Sequence, residues 1–195
     1  MRHSVLAACL SLGLSAGALG APAGAVSTVS AVPTSYTLNA VACHFAVTNL
    51  KWRDATTRAS YGGPAAFSVS SWDNSTSFSF TKVTSGANFT ITDGVFSDPG
   101  LYGITQYGNQ GTCAGGHYSY GPTMWFNRGV LDAQSTSIRQ TTGVHEMGHV
   151  LGLGHDYESG CTISIMQADA NIVIPCGRQS PGSEDLRGIT RIYSQ

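Results

Sequence analysis

Between residues 145 and 156 the chain reads His145-Glu146-Met147-Gly148-His149-Val150-Leu151-Gly152-Leu153-Gly154-His155-Asp156. His145 and His149 are four apart, so a helix puts both on one face, within reach of one ion. Glu146 falls beside that ion without stacking on the imidazoles. Gly152 can take a positive φ at no steric cost, which lets the chain leave the helix sharply and return His155 to the same point. Three imidazoles with one position left open are the ligand set of a catalytic zinc ion rather than of a closed structural one. A bare HExxH also arises by chance in amphipathic helices. A glycine at the eighth position and a histidine at the eleventh make that chance much smaller.

The start of the chain reads as an export signal. Arg2 and His3 precede an apolar, small-residue run from Val5 to Leu19, too short to cross a bilayer. Ala23-Gly24-Ala25 suits cleavage before Val26, with a cut after Ala21 as the alternative. Leu6-Ala7-Ala8-Cys9 mimics a lipoprotein box, but most of the apolar region follows Cys9. The organisation expected is a signal peptide at 1–25, a polar segment at 26–48 and a catalytic domain at 49–195, secreted and extracellular. The mature length suits one core, and a monomer is expected. Charged residues are 11% of the chain, against about 25% in an average soluble domain; the 42% hydrophobic content argues against disorder. Net charge is −1 with no basic patch, so nucleic acid is not an expected partner. No later segment is apolar enough for a membrane span, and no stable membrane association is expected.

Of five cysteines, Cys9 lies in the leader. The other four suggest two disulfides, with three connectivities open. The pairing expected is Cys161–Cys176 and Cys43–Cys113. Thiolate zinc ligation is the alternative, but no CxxC spacing exists.

Strands are expected at Val47 to Trp52, Ser77 to Val83, Asn88 to Thr92, Leu101 to Tyr107 and Pro122 to Asn127. A helix is expected from Ala59 to Ser71, with Gly62-Gly63-Pro64 at or near its start, where Pro is tolerated. The histidine helix should run from Thr136 to Leu151, capped by Ser135 or Ser137. A last helix, Ser183 to Tyr193, carries Leu186, Ile189, Ile192 and Tyr193 on one side. The remainder of 93–121 reads as loop. Asp93, Asp98 and Asn109 are oxygen donors that would suit calcium, although Asp, Asn and Gly also simply make turns, and that plainer reading is preferred.

The zinc motif resembles the HExxHxxGxxH signature of metzincin metalloproteases, and the chain is most similar to their matrixin-like branch. Ile91-Thr92-Asp93-Gly94-Val95-Phe96, Gly103-Ile104-Thr105, Trp125-Phe126-Asn127 and Glu184-Asp185-Leu186-Arg187-Gly188-Ile189 fall where that family has comparable segments, in the same order. Ser164-Ile165-Met166-Gln167 looks like its Met-turn, so Met166 would lie beneath the zinc site. The fold implied is α/β (α+β): a twisted five-stranded mixed sheet, mostly parallel, with one antiparallel edge strand lining the cleft, an active-site helix and a C-terminal helix. Asp156 stands where typical matrixins have Ser and adamalysins have Asp. Ala168 replaces the tyrosine ligand of astacins and serralysins. Only His117 is available for a second, structural zinc, which is not expected; His44 and His117 read as ordinary polar histidines.

The chemistry expected is peptide-bond hydrolysis of protein or peptide substrates, with zinc on His145, His149 and His155 and with Glu146 as general base. The competing readings are a non-catalytic secreted zinc-binding or adhesion module with a vestigial site, and a disulfide scaffold or inhibitor in which the histidine spacing is coincidence. The primed-side wall is expected between Asp169 and Ser180, including Ile172, Val173, Ile174 and Pro175.

Overall fold

Two patterns in the sequence build the sheet. In β1 (Asn49–Asp54) Leu50 and Trp52 are buried while Asn49, Lys51 and Arg53 are exposed, the period of two that a half-covered strand requires. In β3 (Phe89–Gly94) and β7 (Thr123–Asn127) the buried apolar residues are Phe89, Ile91, Met124 and Phe126, again at every second position. With β2 (Ser79–Lys82) and β4 (Gly103–Gln106) they form a five-stranded sheet in the order β2-β1-β3-β7-β4. All neighbours are parallel except β4, which runs antiparallel to β7 at the edge. The computed structural model describes residues 38–39, 42–108, 113–157, 160–169 and 173–194. The expected leader with Cys9 and Val26, together with Asn109 and Ile172, lies outside the described residues.

Helix α1 (Ala59–Asp73) crosses between β1 and β2. It starts at Ala59, where the sequence places it, and Pro64 lies inside its second turn, buried. Proline there removes the N–H that would bond the Ser60 carbonyl, and the burial of Tyr61, Ala65, Val69 and Trp72 around it holds the helix together. Between β4 and β7 the expected loop contains a small hairpin, β5 (Cys113–Ala114) with β6 (His117–Tyr118). Gly115 and Gly116 both have positive φ, as a tight two-residue hairpin turn demands. A four-residue helix α2 (Arg128–Leu131) follows β7, capped by the Asn127 side chain.

The long helix α3 (Thr136–Val150) lies against α1, β4 and β7. Ser135 caps it, its hydroxyl accepting from Ile138 N. Gly143 meets the sheet: an added Cβ would lie 3.1 Å from Phe126 and from Ser68 of α1. Gly148 instead meets Met166 and Trp72, so its smallness serves a different contact from the sheet packing. Trp72 Nε1 donates to Val144 O at 2.9 Å, tying α1 to α3 in the core. Helix α4 (Ser183–Tyr193) buries Ile189 and Ile192 and begins with the buried pair Glu184 and Asp185. No helix among the described residues is long and apolar enough to cross a membrane.

Candidate metal centre

Helix α3 delivers His145 and His149 one turn apart, each half-buried. It then ends: Gly152 N donates to His149 O at 3.1 Å and Leu153 N to Gly148 O at 3.0 Å. Gly152 has φ 108°, a conformation that favours glycine. A Cβ there would also lie 3.0 Å from His44 Cβ and 3.2 Å from Cys43 O. The turn brings His155 back, and one ring nitrogen from each of the three histidines falls within 4.8 Å of the others. His149 Nε2 and His155 Nε2 are 3.2 Å apart.

The outer nitrogens define the tautomers. His145 Nδ1 lies 2.8 Å from Ile165 O, and His149 Nδ1 lies 2.8 Å from Leu153 O. Carbonyls only accept, so both Nδ1 atoms carry the proton and both Nε2 lone pairs face inward, the arrangement that metal-binding histidines adopt. His155 Nδ1 is 3.5 Å from the Tyr157 hydroxyl. Burial lowers the pKa of all three, that of His145 to about 4, so they are neutral at pH 7. The donor set therefore fits a zinc ion.

Glu146 is 5% exposed and lines the same cleft. Burial raises its pKa to about 7, and the Thr105 hydroxyl, which donates to its carboxylate at 2.8 Å, pulls the other way. Gly103 opposes it from β4: an added Cβ would lie 2.7 Å from Glu146 Cγ and 2.9 Å from Thr142 Cγ2. The sequence identified this strand but not the roles of Gly103 and Thr105. Their signal was the small residue and the hydroxyl at alternate, inward positions of an edge strand.

Met166 is buried beneath α3, against Gly148. Its turn is held from α4. Asp185 accepts from Ser164 Oγ at 2.8 Å, from Ile165 N at 2.7 Å and from Gly182 N at 2.6 Å, while Ser164 Oγ accepts from Met166 N at 3.0 Å. Since Ile165 O receives His145 Nδ1, the Asp185 carboxylate is two hydrogen bonds from an imidazole. Nothing in the spacing of the sequence singled Asp185 out for this. Asp156 N donates to Met166 O at 2.8 Å, which fastens the third histidine's strand to the same turn.

The two disulfides are Cys43–Cys113 and Cys161–Cys176, with Cα separations of 5.8 and 6.2 Å. The first joins the segment before β1 to the hairpin. The second closes the loop after the histidines, where Arg178 also donates to the carbonyls of Cys161 and Thr162. That early segment is packed onto the site: Asn39 Nδ2 donates to His149 O at 3.3 Å, and Asn39 N to Gly152 O at 2.9 Å.

The cleft holds about 450 Å³ and is lined by β4, the histidines, Tyr157, Gln167, Val173 and Ile174. Of the residues considered for calcium, the two that are described are engaged otherwise. Asp93 accepts from Thr57 N and Oγ1 and pairs with Arg128 at 3.1 Å; Asp98 accepts from Gly100 N at 2.8 Å. Calcium therefore has no support here. His44 and His117 pack edge to face at 4.7 Å and do not belong to the triad.

No protein-family model matches the chain, and no curated protein does. Among solved structures it is similar to two of myroilysin. One gives a TM-score of 0.51 at 15% identity over 76% of this chain and 84% of that one; the other gives 0.50 at 14% over 75% and 93%. A hatching-enzyme zinc protease from the medaka fish Oryzias latipes is matched at a TM-score of 0.47 and 13% identity, over 80% of this chain and 96% of that one. The likeness to myroilysin concerns the fold, and the five-stranded mixed sheet with its antiparallel edge agrees with it. The chain has a metzincin-like fold.

Proposed function

We propose that this chain is a secreted zinc-dependent endopeptidase. The observation that carries the reading is the convergence of three neutral imidazoles within 4.8 Å, in one cleft with a buried carboxylate. His145, His149 and His155 would hold the ion through Nε2. When bound, zinc supplies Lewis acidity, which makes water a nucleophile near neutral pH and polarises a carbonyl. Glu146, with its pKa near 7, accepts the proton of the attacking water and passes it to the leaving nitrogen. Thr105 holds the Glu146 carboxylate in place, and Met166 supports α3 from below. The open edge of β4 binds an extended peptide through main-chain hydrogen bonds. No side-chain nucleophile takes part, so no acyl-enzyme forms.

Secretion is supported by the apolar N-terminal run and the two disulfides. In this reading residues 1–25 are removed, 26–48 form an N-terminal segment and 49–195 form the catalytic domain. The zinc-loaded protein should cleave casein, and a chelator should stop it. Glu146→Ala should retain one zinc per chain and lose about a hundredfold or more in turnover. Near wild-type proteolysis by that variant, or unchanged activity in chelator, would overturn the proposal.

A further inference from the structure

Gln167 follows Met166 and forms a short parallel bridge with Asp156, next to His155. It is 5% exposed and lines the cleft beside Ala168, Val173 and Ile174. Among the described residues its amide nitrogen has no hydrogen-bond partner. The turn just before it is fully engaged: Ser164 Oγ, Ile165 N and Met166 N are all satisfied within the Asp185 network. A primary amide carries two N–H donors, and burying one unpaired works against folding unless a partner arrives. An apolar side chain of the same size would fill this place without that cost.

We propose that Gln167 is a specificity-determining residue, donating to a hydrogen-bond acceptor on the substrate side chain seated against Val173 and Ile174. The cleft then selects a polar, acceptor-bearing residue (Ser, Thr, Asn or Gln) over an aliphatic one of equal size. The selection has two sides. An acceptor satisfies the buried amide, whereas an aliphatic side chain covers it and leaves it unpaired, and this second effect gives polar recognition its large discrimination. The inference rests on the peptidase reading above.

The test uses fluorogenic peptides that differ only in Thr against Val, or Gln against Met, at each position flanking the cut bond. Zinc-loaded wild type should favour the acceptor-bearing peptide at one position by at least about tenfold in kcat/KM. Gln167→Met should abolish that preference, with a thermal midpoint equal to or above wild type, because the isostere removes an unpaired donor. A merely structural glutamine predicts the reverse: a lower midpoint and an unchanged preference. That result, or a wild type with no preference at any position, overturns the proposal. Should Gln167→Met not fold, Gln167→Leu replaces it and the wild-type comparison still decides. Cleavage of no peptide by the zinc-loaded protein would instead overturn the peptidase reading itself.

Discussion

Two of the three imidazoles are aimed by main-chain carbonyls, and one of those carbonyls belongs to a turn fastened by Asp185. Burial raises the pKa of Asp185, against hydrogen bonds that lower it. A carboxyl whose folded pKa exceeds its unfolded value, about 3.9, stabilises the fold most where it is protonated. That contribution is lost as pH rises through the folded pKa. The stability difference between wild type and Asp185→Asn should therefore shrink as pH is raised from about 4, in denaturant titrations at successive pH values. A difference that grows with pH would contradict the burial argument. The convergence of the three histidines beside Glu146 was legible in the sequence because their spacing is a property of one helix and one turn. Asp185 and Thr105 were not, because each acts across some twenty to forty residues of intervening chain, a separation that periodicity does not report.

Among the elements, α3 and α4 were readable to within a residue, since their apolar periodicity and flanking cap positions agree. The hairpin of β5 and β6 escaped because two-residue strands carry no alternation, although Gly115-Gly116 marked the turn. Helix α1 was legible from Ala59 despite Pro64, because burial of Tyr61, Ala65, Val69 and Trp72 carries the helix past that breaker. Helical glycines separate local propensity from packing. Gly63 of α1 is exposed, and beyond its chain neighbours and its own helix backbone a Cβ there would meet nothing within 4 Å. Gly63→Ala should be near neutral, because a propensity gain of about 1 kcal/mol is opposed by Pro64, whose Cδ crowds a Cβ on the helical residue before it. At Gly148 the same change drives a methyl group into Met166 and to 3.2 Å from Trp72 Cζ2. Overpacking of about 1–3 kcal/mol outweighs the gain in propensity, so Gly148→Ala should lower the thermal midpoint. Equal effects at the two sites would show that α3 is not tightly seated on the Met166 turn.

For the molecule as a whole, the two cross-links constrain very different lengths of chain. Cys43 and Cys113 are 70 residues apart, Cys161 and Cys176 only 15. Loop-closure entropy predicts a loss of about 4 kcal/mol for Cys43→Ser with Cys113→Ser and about 3 kcal/mol for Cys161→Ser with Cys176→Ser, measured by chemical denaturation. The ranking should hold even where strain alters the absolute values; a larger loss from the shorter loop would mean that the loop after the histidines depends on its disulfide for more than entropy.

Asn39 reaches the end of α3 from a point well before the first strand, bonding His149 O through its side chain and Gly152 O through its main chain. N-terminal trimming by any peptidase therefore has a limit set by this contact. Cuts that stop short of Leu38 leave this anchor in place. A cut beyond Asn39 takes that anchor away from the helix-end carbonyls beside His149, so the end of α3 loosens only once trimming passes this residue.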